Sequence, residues 1–400
     1  MVHRGGRFPG GAFAPGGWRI CTLAGIVAQR GRIMNSRDRF LATMNYRERD
    51  RCPWGEMGFW PETLDRWHTE GWPDGTYLNQ YLGFDRLRED VGVATGFIPA
   101  FDEKVLEEDD TYRVVRRGSG DVVKEFKGKI SFRMPQWIDF PLKTRSDWEE
   151  SIRPRLDPAS PTRYPEYWDE KVQMWKGRDY PLTIRMGSIF GWIRNWMGLE
   201  GISLALYDDP AWIQEMMDYL VDFCCRCCER ALTDVDLDYV LLWEDMAYKT
   251  GPLISPEMFR RFMLEPYKKL TGFIKAHGVD LIIVDSDGNA ESLLPLWIEG
   301  GVNGFYPIER AAGMDAVQLR ERFGRDLRLL GGIDKRAMIA GGGAIDVELA
   351  HVIPLIKEGG FIPWCDHHVP PDVSLENYRY YVERMKQASL DPDGFLRSMK

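Results

Sequence analysis

The chain has no apolar run approaching the ~18–20 residues of a membrane span, so nothing in it reads as a transmembrane helix. It has no stripe of clustered lysine and arginine. Its formal net charge is −9, spread along the chain, which argues against nucleic acid as a partner. Nor is there a secreted disulfide framework. The seven cysteines are odd in number, and four of them fall together as CCRCC at 224–228, so a reducing, cytoplasmic setting is expected. No glycine-rich phosphate fingerprint follows the first strand, which counts against a nucleotide-binding fold. Histidine is scarce: six in 400 residues.

Hydrophobic residues make up 44% of the chain, enough for a substantial core in one large domain or two ordinary ones. Fifteen tryptophans suit either a well-filled core or a pocket for an organic ligand. Residues 1–33 are rich in Gly and Arg and lack period. They are expected to be a disordered extension, or to precede the true start at Met34. The short run ICTLAGIVA after arginines raises a signal peptide as the alternative. The long leader and the lack of a clean A-x-A site weigh against it. One domain is expected over residues 34–400, opening with Ser36 as a helix N-cap. Residues 112–126, YRVVRRGSGDVVKEF, predict a β-hairpin insertion.

After Tyr180, short apolar strands alternate with helical stretches. The strand candidates are LTIRMG (182–187), YVLLWED (239–245), DLIIVDSDG (280–288), GFYPIE (304–309), LRLLGGID (327–334) and GFIPWCDH (360–367). The helix SPEMFRRFMLEPYKKLTGFIKAHG opens on Ser255-Pro256-Glu257, a cap with proline in the first turn. The alternation predicts an α/β fold, a (β/α)8 TIM barrel, with a doubly wound open sheet as the alternative.

Five successive strands end on acids or imidazoles. Glu244 and Asp245 end one, Asp285 and Asp287 the next, then Glu309, then Asp334. The last ends on Cys365, Asp366, His367 and His368. In a barrel such ends converge on one mouth. Individually each acid has a plainer reading. Asp334 before Lys335-Arg336 fits an N-cap, and Glu309 beside Arg310 fits a local ion pair. As a set they predict a polar, mostly acidic pocket. Glu244, Asp285, Cys365 and His367 are the first candidates for holding a metal such as Zn2+. The CCRCC run lies in a predicted helix, and its cysteines read as small buried hydrophobes rather than ligands.

The stretches WEDMAYKTGPLISPEMF (243–259), DSDGNAESLLPLWIEGGVNGFYPIE (285–309), GGIDKR (331–336) and IPWCDHHVPPDVSLENY (362–378) together resemble the uroporphyrinogen decarboxylase superfamily. So does the opening SRDRFLATMNYRERDRCPW (36–54). The resemblance implies a TIM barrel with its site at the strand C-terminal ends. It also implies one of two activities: cofactor-free decarboxylation of uroporphyrinogen III, or zinc-assisted methyl transfer involving a corrinoid protein.

The chain departs from both patterns. The decarboxylases carry two arginines in an N-terminal loop that here reads GEMGFWPE (55–62), with an acid and no arginine. The family histidine matches His367, the serine position falls at Asp245, and the tyrosine position falls near Trp192. The methyltransferase His-x-Cys has become Asp285-Ser286-Asp287, with Cys365 matching the later cysteine. The resemblance therefore implies His367, Asp245 and Asp287 as catalytic candidates. Trp60, Trp192, Glu309 and Asp334 are the candidate substrate contacts, and Glu244, Asp285 and Cys365 the candidate metal ligands. The expected function is methyl transfer between a small methylated compound and a corrinoid protein, with decarboxylation as the alternative and a non-catalytic binding barrel as the third reading. A homodimer is compatible with either activity.

Overall fold

The structure is a computed structural model that describes residues 33–399 apart from 74, 76 and 129–133. The extension expected at residues 1–33 lies, but for Ile33, outside them. Residues Met34–Lys400 form one compact unit.

The strands in chain order are β1 (Glu89–Asp90), β2 (Lys104–Glu108), β3 (Tyr112–Arg116), β4 (Val122–Phe126), β5 (Gln136–Asp139), β6 (Leu182–Arg185), β7 (Tyr239–Trp243), β8 (Ala247–Tyr248), β9 (Gly251–Pro252), β10 (Ile282–Asp285), β11 (Gly304–Tyr306), β12 (Arg328–Leu330) and β13 (Phe361–Ile362). Seven of them form a parallel sheet in the order β1-β6-β7-β10-β11-β12-β13. Both faces are buried, which is why these strands read as continuous apolar runs. Leu182, Ile184, Val240, Leu242, Ile282, Val284 and Leu329 face outward and pack with the covering helices. Tyr239, Leu241, Ile283, Tyr306, Leu330 and Ile362 face inward and meet one another, so the sheet curls. Phe40 and Met44 of the helix Ser36–Met44 fill this interior, and the Phe40 ring lies 5.1 Å from that of Tyr239.

The curl does not close as an eight-stranded barrel. β1 and β13 are not paired, and residues 54–60 lie at the gap without forming a strand. Phe59 makes one isolated bridge to Val369. The Asp85 amide donates to the Trp54 carbonyl at 2.8 Å on the other side. Pro53, Gly55, Gly58 and Pro61 stud this stretch and explain why it cannot run as regular strand. Side chains hold it instead. The buried Asp85 carboxylate accepts from Arg39, from Arg51 at 2.7 Å and from the Trp54 amide at 2.8 Å.

The hairpin forms as expected, with Arg116 opposite Val122. It grows into a four-stranded antiparallel sheet by adding β2 and β5. Asn35, not Ser36, caps the first helix, accepting from the Asp38 amide. Ser255 does cap its helix, which breaks at Met263 into Pro256–Phe262 and Leu264–Ala276. The four cysteines of CCRCC are buried within the helix Pro210–Asp234.

Candidate functional site

The C-terminal ends of β7, β10 and β13 bring Asp245, Asp285, Asp287 and His367 into one electrostatic cluster. His367 Nε2 lies 3.5 Å from Asp287 Oδ1. Burial draws the His367 imidazole down, but the Asp287 carboxylate outweighs it and holds the ring above its ordinary pKa. Burial lifts Asp285 to about 7, with the neighbouring Asp287 charge adding to the rise and a hydrogen bond with Tyr306 opposing it. Asp245 is likewise raised by burial, against the pull of Arg194. Its Oδ2 accepts from Arg194 Nη2 at 3.0 Å, and its backbone sits at φ +47°, a left-handed conformation uncommon outside glycine. The Asp287 charge adds to the rise at both Asp285 and Asp245, as like charges gathered at one mouth do.

Trp60 reaches the same place from the irregular segment at the gap. Its ring stacks on His367 at 6.1 Å and meets His368 edge-on at 5.1 Å. Gly58 lets this happen, since a Cβ there would fall 2.8 Å from His368 Nε2. Glu309 accepts from the Gly288 amide at 2.8 Å, which ties the β11 loop to the Asp287 turn. Lys335 Nζ lies 3.4 Å from the fully buried Asp366 and 3.9 Å from Glu309. Lys335 and Arg194 bring positive charge to this mouth, and neither is marked in the sequence. Lys335 follows Asp334 directly and reads as a surface helix charge. Arg194 lies in an amphipathic stretch with nothing to mark it.

Three expectations are corrected. Glu244 cannot serve as a metal ligand, because its carboxylate is fully engaged. Oε1 accepts from the Ile189 amide at 2.9 Å and the Tyr267 hydroxyl at 2.6 Å. Oε2 accepts from Ser188 Oγ at 2.8 Å and from the Phe190 and Gly191 amides, both at 2.9 Å. It caps the turn that starts the helix Gly191–Asp208. Cys365 is buried, its thiol donates weakly toward Asp366 at 3.8 Å, and burial pushes its pKa well up. Among the described residues, no group of three or more His, Cys, Asp and Glu side chains is arranged to hold a metal ion. The proposed set Glu244, Asp285 and Cys365 therefore does not fit zinc. Asp334 is an N-cap, accepting from the Arg336 amide at 2.8 Å and pairing with its guanidinium at 2.7 Å. Trp192 packs on Trp196 and Phe223 and against Gly187, in the layer of helices rather than at the acid cluster.

Beneath the mouth, the curled sheet encloses a cavity of about 220 Å³ lined in part by Tyr306, Trp364 and Glu56. Burial raises Glu56 to about 8, against hydrogen bonds from the Met57 and Cys365 amides, both at 3.0 Å, and from Tyr378 at 3.2 Å. Glu56 is the acid that stands in the loop 55–62 where an arginine pair was absent. Its burial was not visible in the sequence.

Residues 169–388 match the family model described as Uroporphyrinogen decarboxylase (URO-D). A curated relative, the uroporphyrinogen decarboxylase of Phenylobacterium zucineum, is 27% identical over 187 residues. That match spans 45% of this chain and 50% of the relative's length. Among solved structures, a methyltransferase from Methanosarcina mazei aligns over 88% of this chain and 99% of its own, with a TM-score of 0.55 at 14% identity. At that identity the likeness speaks for the fold.

Proposed function

The chain belongs to the uroporphyrinogen decarboxylase superfamily, and on that premise we propose that it is an enzyme transferring a methyl group between a small methylated compound and a corrinoid carried by a partner protein. The observation that supports this reading is the acid cluster itself. A porphyrinogen bearing eight carboxylates needs cationic partners, whereas Asp245, Asp285 and Asp287 present three carboxyl groups around His367. The 220 Å³ cavity below them suits a small molecule rather than a tetrapyrrole.

The corrinoid would accept the methyl group. This chain supplies the proton. When a methyl group leaves oxygen or nitrogen, the heteroatom is left with a lone pair and gains basicity. A carboxyl group that titrates near 7 is matched to protonate it, because it is both populated as acid and acidic enough to transfer. Asp285 is given that role, with Tyr306 orienting its carboxyl and Asp287 raising the pKa of His367 beside it. Trp60 stacks on His367 at one side of the site. No step passes through zinc. A cytoplasmic setting belongs to this reading, and a homodimer is compatible with it.

The name of the curated relative favours the second reading, decarboxylation of uroporphyrinogen III. One experiment separates the two. Purified protein is given uroporphyrinogen III in one arm, and methylated ethers and amines with a corrinoid protein in the other. We expect slow or absent coproporphyrinogen formation. Turnover of uroporphyrinogen III at the rate of a dedicated decarboxylase would overturn methyl transfer.

A further inference from the structure

The cavity inside the curled sheet reaches solvent past Asn79, Arg86 and Arg88, all exposed. Its walls are apolar where Phe40, Leu241, Ile283 and Leu330 contribute. Two phenols, Tyr239 and Tyr306, add polar groups at opposite ends of its inner surface. Arg86 is already engaged, ion-paired with Glu89 and stacked 3.5 Å over the Tyr180 ring. Arg88 is not. It lines the cavity yet makes no hydrogen bond or ion pair with any described residue. It shares the cavity lining with Tyr239 and Tyr306.

An unpaired arginine on a flat surface carries no meaning. An unpaired arginine at the lip of a cavity with both polar and apolar walls, in a lining that holds two phenols, is a cation without its anion. The volume lies below the ~300–1,000 Å³ of ordinary ligand sites, which limits the occupant to a single ring or a short chain. A planar guanidinium fork matches a carboxylate, which it can hold by two parallel hydrogen bonds. A phosphate dianion would bring more negative charge than the one unpaired cation balances, with the Glu56 and Asp85 carboxyl groups in the same lining.

We propose that Arg88 anchors the carboxylate of a small, mostly apolar organic acid bound inside the curled sheet. Tyr306 both lines this cavity and hydrogen-bonds Asp285, so an acid held at Arg88 directs its far end to the mouth cluster. The assignment rests on the proposed function only in placing the reaction at that mouth. Binding itself requires no methyl transfer.

The test is calorimetric titration of the full chain with benzoate and hexanoate, against benzyl alcohol, hexanol and inorganic phosphate. Wild type is compared with Arg88→Met and Arg88→Lys. At least one carboxylate is expected to bind wild type tenfold or more tightly than its matching alcohol and than phosphate. Arg88→Met should weaken that carboxylate tenfold or more, with Arg88→Lys between the two and the melting curve unchanged. Failure of every carboxylate to bind, equal binding of acid and alcohol, preference for phosphate, or undiminished binding by Arg88→Met would each overturn the anchor. Should Arg88→Met fail to fold, the acid-against-alcohol comparison on wild type still decides. Carboxylate binding without methyl transfer would remove the proposed reaction and leave the anchor standing.

Discussion

Tyr267 donates its hydroxyl to Glu244 Oε1 at 2.6 Å, and that bond ties the helix Leu264–Ala276 to the end of β7. The same carboxylate gathers Ser188 and three amides from the loop after β6. Glu244→Gln replaces one acceptor oxygen with an NH2 group aimed at donors that have no other acceptor. The expected loss is about 2–4 kcal/mol, as for a buried group left unsatisfied. Urea denaturation measures it, and an unchanged midpoint would show that the carboxylate is not structural.

Asp285 is expected to work as an acid, so the rate should fall as pH rises through about 7. Asp285→Asn should lose most activity at every pH while melting no lower than wild type, because the variant buries no carboxylate. A full pH–rate profile on both proteins checks this. A profile that rises through neutrality would assign Asp285 the opposite role.

Glu56 makes a prediction about stability. Its folded pKa is raised from 4.5 to about 8, so the native state keeps a proton that the unfolded chain releases. Its contribution is fully present below about 4.5 and is lost as pH climbs through about 8. Glu56→Gln removes that dependence. The variant should be more stable than wild type at about pH 9 by roughly a few kcal/mol, and should show no such gain at about pH 5. Parallel denaturation curves at the two pH values would contradict the burial of this acid.

Asp287 lies 3.5 Å from His367 Nε2 and raises the pKa of the imidazole. Asp287→Asn should therefore lower the His367 pKa, which an NMR titration of the imidazole reads directly. Both side chains are part exposed, so the melting curve should barely move. An unmoved imidazole pKa would separate the two residues.

The sequence carried the sheet and most of the mouth, for identifiable reasons. Strands such as YVLLW and IIVD are buried on both faces and so keep an unbroken apolar signal. Asp245, Asp285, Asp287 and His367 follow those strands directly, so finding the strand finds the residue. Glu244 shows the limit. It precedes Asp245 by one position, yet alternation along the backbone sends it to the opposite side, into the amides of a neighbouring loop. Asp334 before Lys335-Arg336 also fits an N-cap from sequence alone, and the cap is what the chain forms. Glu56, Arg88 and Lys335 left no local trace. Each owes its setting to chain far away in sequence, as when Glu56 accepts from the Cys365 amide at a separation of 309 residues.

The gap between β1 and β13 has a mechanical consequence. Every neighbouring pair within the parallel sheet is joined by a backbone ladder, whereas here one isolated bridge, the single Asp85–Trp54 backbone bond and a few side chains do the joining. Opening at this line breaks the fewest backbone bonds, so it is where the fold should first come apart on heating or stretching. Deuterium uptake should record it, with the amides of Cys365 and Val369 exchanging ahead of those in β10. The fastener on one side is the Glu56 carboxyl, so the ease of unzipping should itself follow pH.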